Sequence, residues 1–400
     1  MGAALPDGEP VPRDGALPDG VAQWAGRRGF GVYVHVPFCA SRCGYCDFNT
    51  YTASEGVEPA GYVDRVLDEL DLAAKVVQPR QVDTVFVGGG TPTLLAPREL
   101  GRVLNAIDRT WGLAAGAEIT TEANPESVTT GSLRELRDAG FTRVSLGMQS
   151  AAPHVLAFLD RRHTPGRAVA AAREAREAGF AHVNLDLIYG TPGERPEDFA
   201  ASLAAVLDAG VDHVSAYALI VEDGTRMAAR MRRGELPYPD DDVAADRYLA
   251  AEEALTGGGL SWYEVSNWSR TGGECRHNRL YWTGADWWGL GPGAHSHVDG
   301  VRWWNVKHPR AYAARLLDGA SPGAGRELLT AAERHTEDVL LRIRLADGVD
   351  LATLDEQGRR GAARALTDGL LDAQRYKGNE AVLTLNGRLL ADAVARLLLP

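Results

Sequence analysis

Cys39, Cys43 and Cys46 stand within eight residues, in the spacing C-x3-C-x2-C. A short loop with this spacing can aim three thiolates at three corners of a cube. Thiolates are the ligands that a [4Fe–4S] cluster requires. Three thiolates leave the fourth iron without a protein ligand, open to a substrate or cofactor. The same residues would also suit a structural zinc, with His35 or Cys275 as the fourth ligand, because zinc takes a closed set of four. Unrelated buried thiols are the third reading. A disulfide scaffold is excluded, since the chain has four cysteines in 400 residues.

Other polar residues recur where an α/β protein places its chemistry. Apolar, β-prone runs lie at 32–36, 82–87, 118–121, 143–147, 182–187 and 213–218. Helical patterns fall between them, at about 59–76, 97–109, 130–139, 165–178 and 196–209. Repeated strand–helix alternation predicts parallel βαβ units wound right-handed into a partial (β/α)6 barrel, of α/β class. In such barrels chemistry collects at the C-terminal strand ends. The cysteine loop follows strand one. Strand two ends in Gly88-Gly89-Gly90-Thr91-Pro92-Thr93, strand three at Glu122, strand four at Gln149, and strand five carries Asp186. The glycines are a tight turn or a place where backbone amides are bared for a carboxylate. Glu122, Gln149 and Asp186 are ligand contacts or hydrogen-bonded caps of the barrel mouth.

The remaining segments divide by composition. Residues 1–28 hold four prolines and a repeated Leu-Pro-Asp-Gly, which predicts a flexible tail. Residues 29–255 hold the barrel pattern. Residues 256–325 hold seven of the nine tryptophans. Residues 326–400 read as a small α-rich domain with a short strand at Val382–Leu385. The net charge of −12 is opposite in sign to what phosphate neutralisation needs, so no nucleic-acid partner is expected. No apolar run is long enough to span a bilayer, no secretory signal is visible, and no basic amphipathic helix offers a membrane anchor. A cytoplasmic, reducing location follows as the expectation.

The cysteine spacing at the end of the first strand resembles that of the radical S-adenosylmethionine superfamily. There the open iron chelates the methionine amine and carboxylate, and the reduced cluster cleaves the sulfonium to a 5′-deoxyadenosyl radical. The run Tyr33-Val34-His35-Val36-Pro37-Phe38-Cys39, the GGGTPT turn and Asp186-Leu187-Ile188-Tyr189-Gly190 are similar to the oxygen-independent coproporphyrinogen oxidase (HemN-like) branch. That resemblance implies that Cys39, Cys43 and Cys46 bind the cluster. It also implies that Tyr33, Gly89, Gly90, Thr91, Glu122, Gln149, Arg161 and Asp186 contact S-adenosylmethionine. Glu122 would hold the methionine amine, and Asp186 would accept from the ribose hydroxyls. Arg162 is an alternative to Arg161.

Oxidases of this branch carry another cysteine two positions after the third cluster ligand, where this chain has Phe48. The segment His277-Asn278-Arg279-Leu280-Tyr281-Trp282 and Phe48 both resemble the haem-chaperone subgroup of the branch, HemW-like. The resemblance implies haem binding through His277, Tyr281 and Trp282, and delivery of haem to apo-haemoproteins such as those of respiratory chains. It implies a retained cluster and S-adenosylmethionine site without coproporphyrinogen oxidation. His295 and His297 are alternatives to His277 as axial ligand. By spacing alone, the histidine and tryptophans are equally a buried core. The competing functions are an oxygen-independent coproporphyrinogen dehydrogenase, another radical enzyme with a structural His277 motif, and a zinc-stabilised scaffold.

Overall fold

The computed structural model describes residues 8–19, 21, 29–77, 80–161 and 164–399. Six strands form its centre: β1 (Phe30–Val36), β2 (Val82–Gly89), β3 (Leu113–Ala123), β4 (Arg143–Gln149), β5 (His182–Tyr189) and β6 (His213–Ala218). They lie in sequence order and every neighbouring pair is parallel. The crossovers contain α1 (Tyr62–Val76), α2 (Pro97–Trp111), α3 (Thr130–Asp138), α4 (Pro153–Phe158), α5 (Arg167–Glu177) and α6 (Pro196–Ala209). This is the expected α/β class with a parallel-dominated sheet. The chief difference is β3, which begins five residues earlier than its apolar run, at Leu113.

The two faces of these strands differ. Val32, Val34 and Val36 of β1 point into the helical layer and are fully buried, as are Leu146, Leu185 and Val214 on later strands. Each such side chain contributes about 1.5–3 kcal/mol by leaving water. The opposite face is polar. Asn184 donates to Ser145 (2.7 Å), Asp186 (2.7 Å) and Ser215 (3.1 Å), and its Oδ1 lies 2.7 Å from His213 Nδ1. Buried polar groups must find partners, and here three adjacent strands supply them.

β1 and β6 do not close on each other. The chain continues through α7 (Arg226–Arg232), α8 (Asp241–Gly257), β7 (Ser261–Glu264), β8 (Asn267–Ser269), α9 (Arg276–Trp282), β9 (Asp286–Leu290), β10 (His295–Val298), β11 (Val301–Asn305), α10 (Pro309–Leu317) and β12 (Gly323–Leu328). β8 pairs antiparallel with β6, and β9 pairs parallel with β1, giving one twelve-stranded open sheet. The tryptophan-rich segment therefore builds both margins of the sheet. Trp288 and Trp303 pack edge-on at 4.8 Å, and Trp111 of α2 lies 6.5 Å from Trp288.

One buried carboxylate ties this extension to the barrel. Glu69 of α1 accepts from Tyr312 Oη (2.6 Å), Gly291 N (2.7 Å) and Asn305 Nδ2 (2.7 Å). These donors come from α10, the turn after β9 and the end of β11. Burial nevertheless pushes the Glu69 carboxyl up to about 7.

Two expectations need correction. Residues 8–19 of the Pro/Gly-rich segment are seated on the fold, not free of it. Glu9 and Arg326 exchange backbone hydrogen bonds of 2.9 Å, and Arg13 pairs with Asp318 at 2.7 Å. Most of the rest of that segment lies outside the described residues. The short C-terminal strand is Glu380–Ala381, paired with Val349–Asp350, rather than Val382–Leu385. Within the run Leu383 keeps a single antiparallel bridge to Leu371, and Thr384 then caps the helix Leu385–Leu389 by accepting from Gly387 N, which ends the extended stretch. Residues from Val339 to Leu398 share a core of their own. Among the described residues no helix is long and apolar enough to cross a membrane.

Because its pKa is raised above that of the unfolded chain, Glu69 keeps a proton in the folded state that the unfolded state sheds. Stability should therefore fall as pH rises from about 4.5 to 7, and then level off. In Glu69→Gln that component of the slope should vanish, a difference of up to about 3 kcal/mol. Urea unfolding of both proteins at pH 5 and pH 8 measures it. Parallel pH profiles would show that Glu69 is ionised in the fold.

Candidate metal and cofactor centre

β1 ends at Val36 and the cysteine loop begins at once. Its first cysteine is fixed by strand-like bonds to the returning chain, with Cys39 N donating to Tyr51 O (2.9 Å) and Tyr51 N to Pro37 O (2.7 Å). Gly44 donates to Leu159 O (3.4 Å) and accepts from Met227 N (2.8 Å), so α7 and the end of α4 hold its middle. Arg42 braces the outer side through Thr50 and a 3.0 Å ion pair with Glu55.

The loop is locked to the glycine turn after β2. Gly90 N donates to Val36 O (2.8 Å), and Thr91 N donates to Phe38 O (2.7 Å). Gly89 N donates to Glu122 Oε2 (2.9 Å). All three amides are therefore committed, which removes the reading in which they are bared for a ligand carboxylate. Glycine is required for a different reason. A Cβ on Gly90 would stand 2.4 Å from Phe38 O and 3.0 Å from Cys39 Sγ, and Gly89 has φ +112°.

Cys39, Cys43 and Cys46 line one cavity of about 350 Å³ with Gly89, Gly90, Thr91, Glu122, Gln149, Arg161 and Asp186. Residues from five strand ends are thus brought together. Gln149 reaches it through an irregularity. The β4–β5 register shifts between Gly147 and Gln149, and Gln149 takes φ +67°, a left-handed conformation costly for a non-glycine residue. Tyr33 is the exception. It stands behind the cavity, 2.9 Å from His35 Nδ1, with its ring against Phe86. Arg162 lies outside the described residues. Ser145 and Thr50 also line the cavity, with no motif to announce them.

The electrostatics suit a charged guest. Burial, with Asp186 beside it, pushes Glu122 up to about 8, and burial also raises Asp186. Arg161 sends Nη1 toward Cys43 Sγ (3.4 Å) and Nη2 to Gly147 O (3.2 Å), while its buried Nε has no partner. Burial and the nearby Cys46 push the Cys39 thiol to about 11. A metal must displace those thiol protons to bind. Two uncomfortable carboxylates, an unpaired N–H and three thiols fit a cationic amine, ribose hydroxyls and an iron–sulfur cluster.

The His277 motif is elsewhere. Glu118 accepts from the amides of Arg276 (3.1 Å) and His277 (3.0 Å) at the start of α9. His277 is 1% exposed, with Nδ1 2.7 Å from Thr84 Oγ1 and Nε2 2.9 Å from Tyr281 Oη. Burial pushes its pKa down to about 3. Neither ring nitrogen is free for an iron in this packing. Tyr281 stacks edge-on against Trp287 at 4.7 Å, and Trp282 Nε1 is buried without a partner. His297 is likewise buried, 3.0 Å from Ala285 O and accepting from Gly300 N, whereas His295 is exposed beside Trp304. Cys275 is buried, its Sγ 3.5 Å from Glu118, and is remote from the other three thiols.

Residues 33–206 match the Radical SAM superfamily. The chain is 57% identical to the protein named Heme chaperone HemW of Mycobacterium tuberculosis H37Rv, over 92% of this chain and 95% of that one. The chain belongs to the HemW family. The Bacillus subtilis member is 31% identical over 91% of this chain and 97% of its own length. The family's radical SAM domain implies a [4Fe–4S] cluster and S-adenosylmethionine. The solved coproporphyrinogen III oxidase HemN from Escherichia coli superposes with a TM-score of 0.81, covering 96% of this chain and 94% of that one. At 24% identity, that likeness establishes the shared fold.

Substituting Gly90→Ala should spread the loop from the turn and impair cluster retention. After anaerobic reconstitution the native chain should hold about four irons. Gly90→Ala and Cys39→Ala should hold far less, at unchanged far-ultraviolet circular dichroism. Full iron in Gly90→Ala would show that the close approach does not matter.

Proposed function

We propose that this chain is a haem chaperone, which binds haem and passes it to apo-haemoproteins, those of respiratory chains among them. The observation that carries this reading is the 57% identity, spanning nearly both full lengths, to a protein named Heme chaperone HemW. Phe48 supports it, because the oxidase-like cysteine is missing from the loop. We place the activity in the cytoplasm.

Within this reading Cys39, Cys43 and Cys46 hold three irons of a [4Fe–4S] cluster, and the cavity beside them holds S-adenosylmethionine. When bound, the pair supplies one-electron chemistry at the sulfonium. The chain's own residues do the positioning. Glu122, held by Gly89 N, takes the amine end, and an ammonium there would draw its pKa back down. Asp186, already accepting from Asn184 and Ser145, takes the ribose hydroxyls. Arg161 offers its unpaired Nε to negative charge beside Cys43. Gln149 and the Thr91 backbone close the sides, and Tyr33 backs the β1–β2 wall through His35 and Phe86. Residues 29–255 carry this centre. Residues 256–325 and 326–400 form the margin and the C-terminal unit beside it.

The test is a haem titration run beside a coproporphyrinogen assay on the cluster-loaded chain. One haem should bind per chain and move to an apo-haemoprotein, with no protoporphyrinogen formed. Rapid conversion of coproporphyrinogen would overturn the reading.

A further inference from the structure

The polar face of the central strands holds a chain of hydrogen bonds that ends on a residue of the cofactor cavity. Its members are Tyr263 of β7, His213 of β6, and Asn184 and Asp186 of β5. Asn184 lies opposite His213 in the β5–β6 register. Tyr263, His213 and Asn184 are buried, and none of the three lines the cavity. Asp186 does line it.

The proton positions follow from one another. Ionised Asp186 only accepts, so the Asn184 atom 2.7 Å from its Oδ1 is the donating Nδ2. The Asn184 carbonyl oxygen is then the atom facing His213 Nδ1 at 2.7 Å. That oxygen also only accepts, so Nδ1 carries the imidazole proton. Burial, with Arg143 adding to it, holds the His213 pKa well below its ordinary value, so the ring is neutral and Nε2 keeps its lone pair. Tyr263 Oη, 2.9 Å away, therefore donates to Nε2. Every donor points toward Asp186: phenol to imidazole, imidazole to amide, amide to carboxylate. Hydrogen bonds aligned in this way polarise one another. Asn184 also donates to Ser145 Oγ (2.7 Å), which donates in turn to the Asp186 carboxylate, 3.2 and 3.1 Å from its two oxygens. One amide thus aims the carboxylate twice. Left alone, that amide could turn over and set its oxygen against Asp186. The Nδ1–H of His213 forbids the flip, because it would then face an N–H.

We propose that His213 is a positioning residue for the ribose of S-adenosylmethionine: it locks the Asn184 amide, and through it the Asp186 carboxylate, in the orientation that accepts the ribose hydroxyls. This rests on the reading that Asp186 takes those hydroxyls, and it adds how the contact is made selective. His213 touches no ligand itself and acts through its neighbour on β5. Tyr263 holds the ring from the other side and fixes its tautomer.

The test is equilibrium dialysis of the cluster-loaded full chain, without turnover, against S-adenosylmethionine and against its 2′,3′-dideoxy analogue, which lacks both ribose hydroxyls. Native protein, His213→Phe, His213→Asn and His213→Gln are compared. Iron content and far-ultraviolet circular dichroism check that each variant keeps its cluster and fold. The asparagine amide reaches to where Nδ1 stands and can still donate to Asn184. The glutamine amide reaches to where Nε2 stands and cannot. Native protein should prefer S-adenosylmethionine about tenfold, the value of roughly one hydrogen bond to a charged group. His213→Phe and His213→Gln should lose that preference by weakening S-adenosylmethionine alone, and His213→Asn should keep it. Equal weakening of both ligands would make His213 a support of the fold only and overturn the proposal. An undiminished preference in His213→Phe and His213→Gln would overturn it too, while leaving the ribose reading of Asp186 intact. If His213→Phe loses its cluster, the asparagine and glutamine variants decide, and equal behaviour of those two rejects the role. If native protein shows no preference, the ribose reading of Asp186 itself fails and the role of His213 falls with it.

Discussion

Two backbone hydrogen bonds, Gly90 N to Val36 O and Thr91 N to Phe38 O, hold the cysteine loop against the glycine turn. Everything at the mouth of the barrel is referred to this clasp. It extends the β1–β2 pairing beyond the last strand residues, so the loop leaves the sheet in one direction only. It also requires the absence of a side chain at Gly90, since the space is filled by Phe38 and Cys39. Cys39 is thereby fixed by its main chain, while Cys43 and Cys46 are fixed by packing against α7 and the chain returning through Thr50. A site that must place reactive atoms accurately gains from being built on paired strands rather than on free loop.

The interior of the sheet uses carboxylates in two ways. Glu69 and Glu118 are saturated by donors from elements distant in sequence, and each fastens a late segment to the early barrel. Glu122 is buried with Gly89 N as its donor, Asp186 is held by Asn184 and Ser145, and both line the cavity at the strand ends; burial raises both, as it raises Glu69. A buried acid with incomplete partners is costly by itself and becomes favourable when a guest brings the missing charge or hydroxyl. Facing the cavity, rather than proton affinity, separates Glu122 and Asp186 from the two acids that hold the fold, although all four lie on or beside the same sheet.

Much of this was legible in the chain. Period and length identified six strands and their helices, because parallel buried strands read as short apolar runs between amphipathic helices. The three thiols, Glu122, Gln149 and Asp186 were legible because they fall at one end of those strands. What was not legible depended on distant partners. The tryptophan-rich segment shows no repeat, yet it forms both sheet margins, since its strands are short and pair with β1 and β6 rather than with each other alone. Residues 8–19 read as a loose tail because their contacts lie near residues 318–326. Val382–Leu385 read as a strand, but Thr384 is a helix cap and leaves one bridge, Leu383 to Leu371. His277 looked like a ligand by motif, and only the positions of Thr84 and Tyr281 show that both nitrogens are engaged.

The pairing of β1 with β9 sets an order of events during synthesis. β1 is an interior strand of the finished sheet, flanked by β2 on one side and by residues 286–290 on the other. Its second neighbour leaves the ribosome some 250 residues after it. Until then the strand that launches the cysteine loop has an open edge, and the turn after β9 has not yet reached Glu69. The architecture leaves the young chain with an exposed strand edge for much of its synthesis.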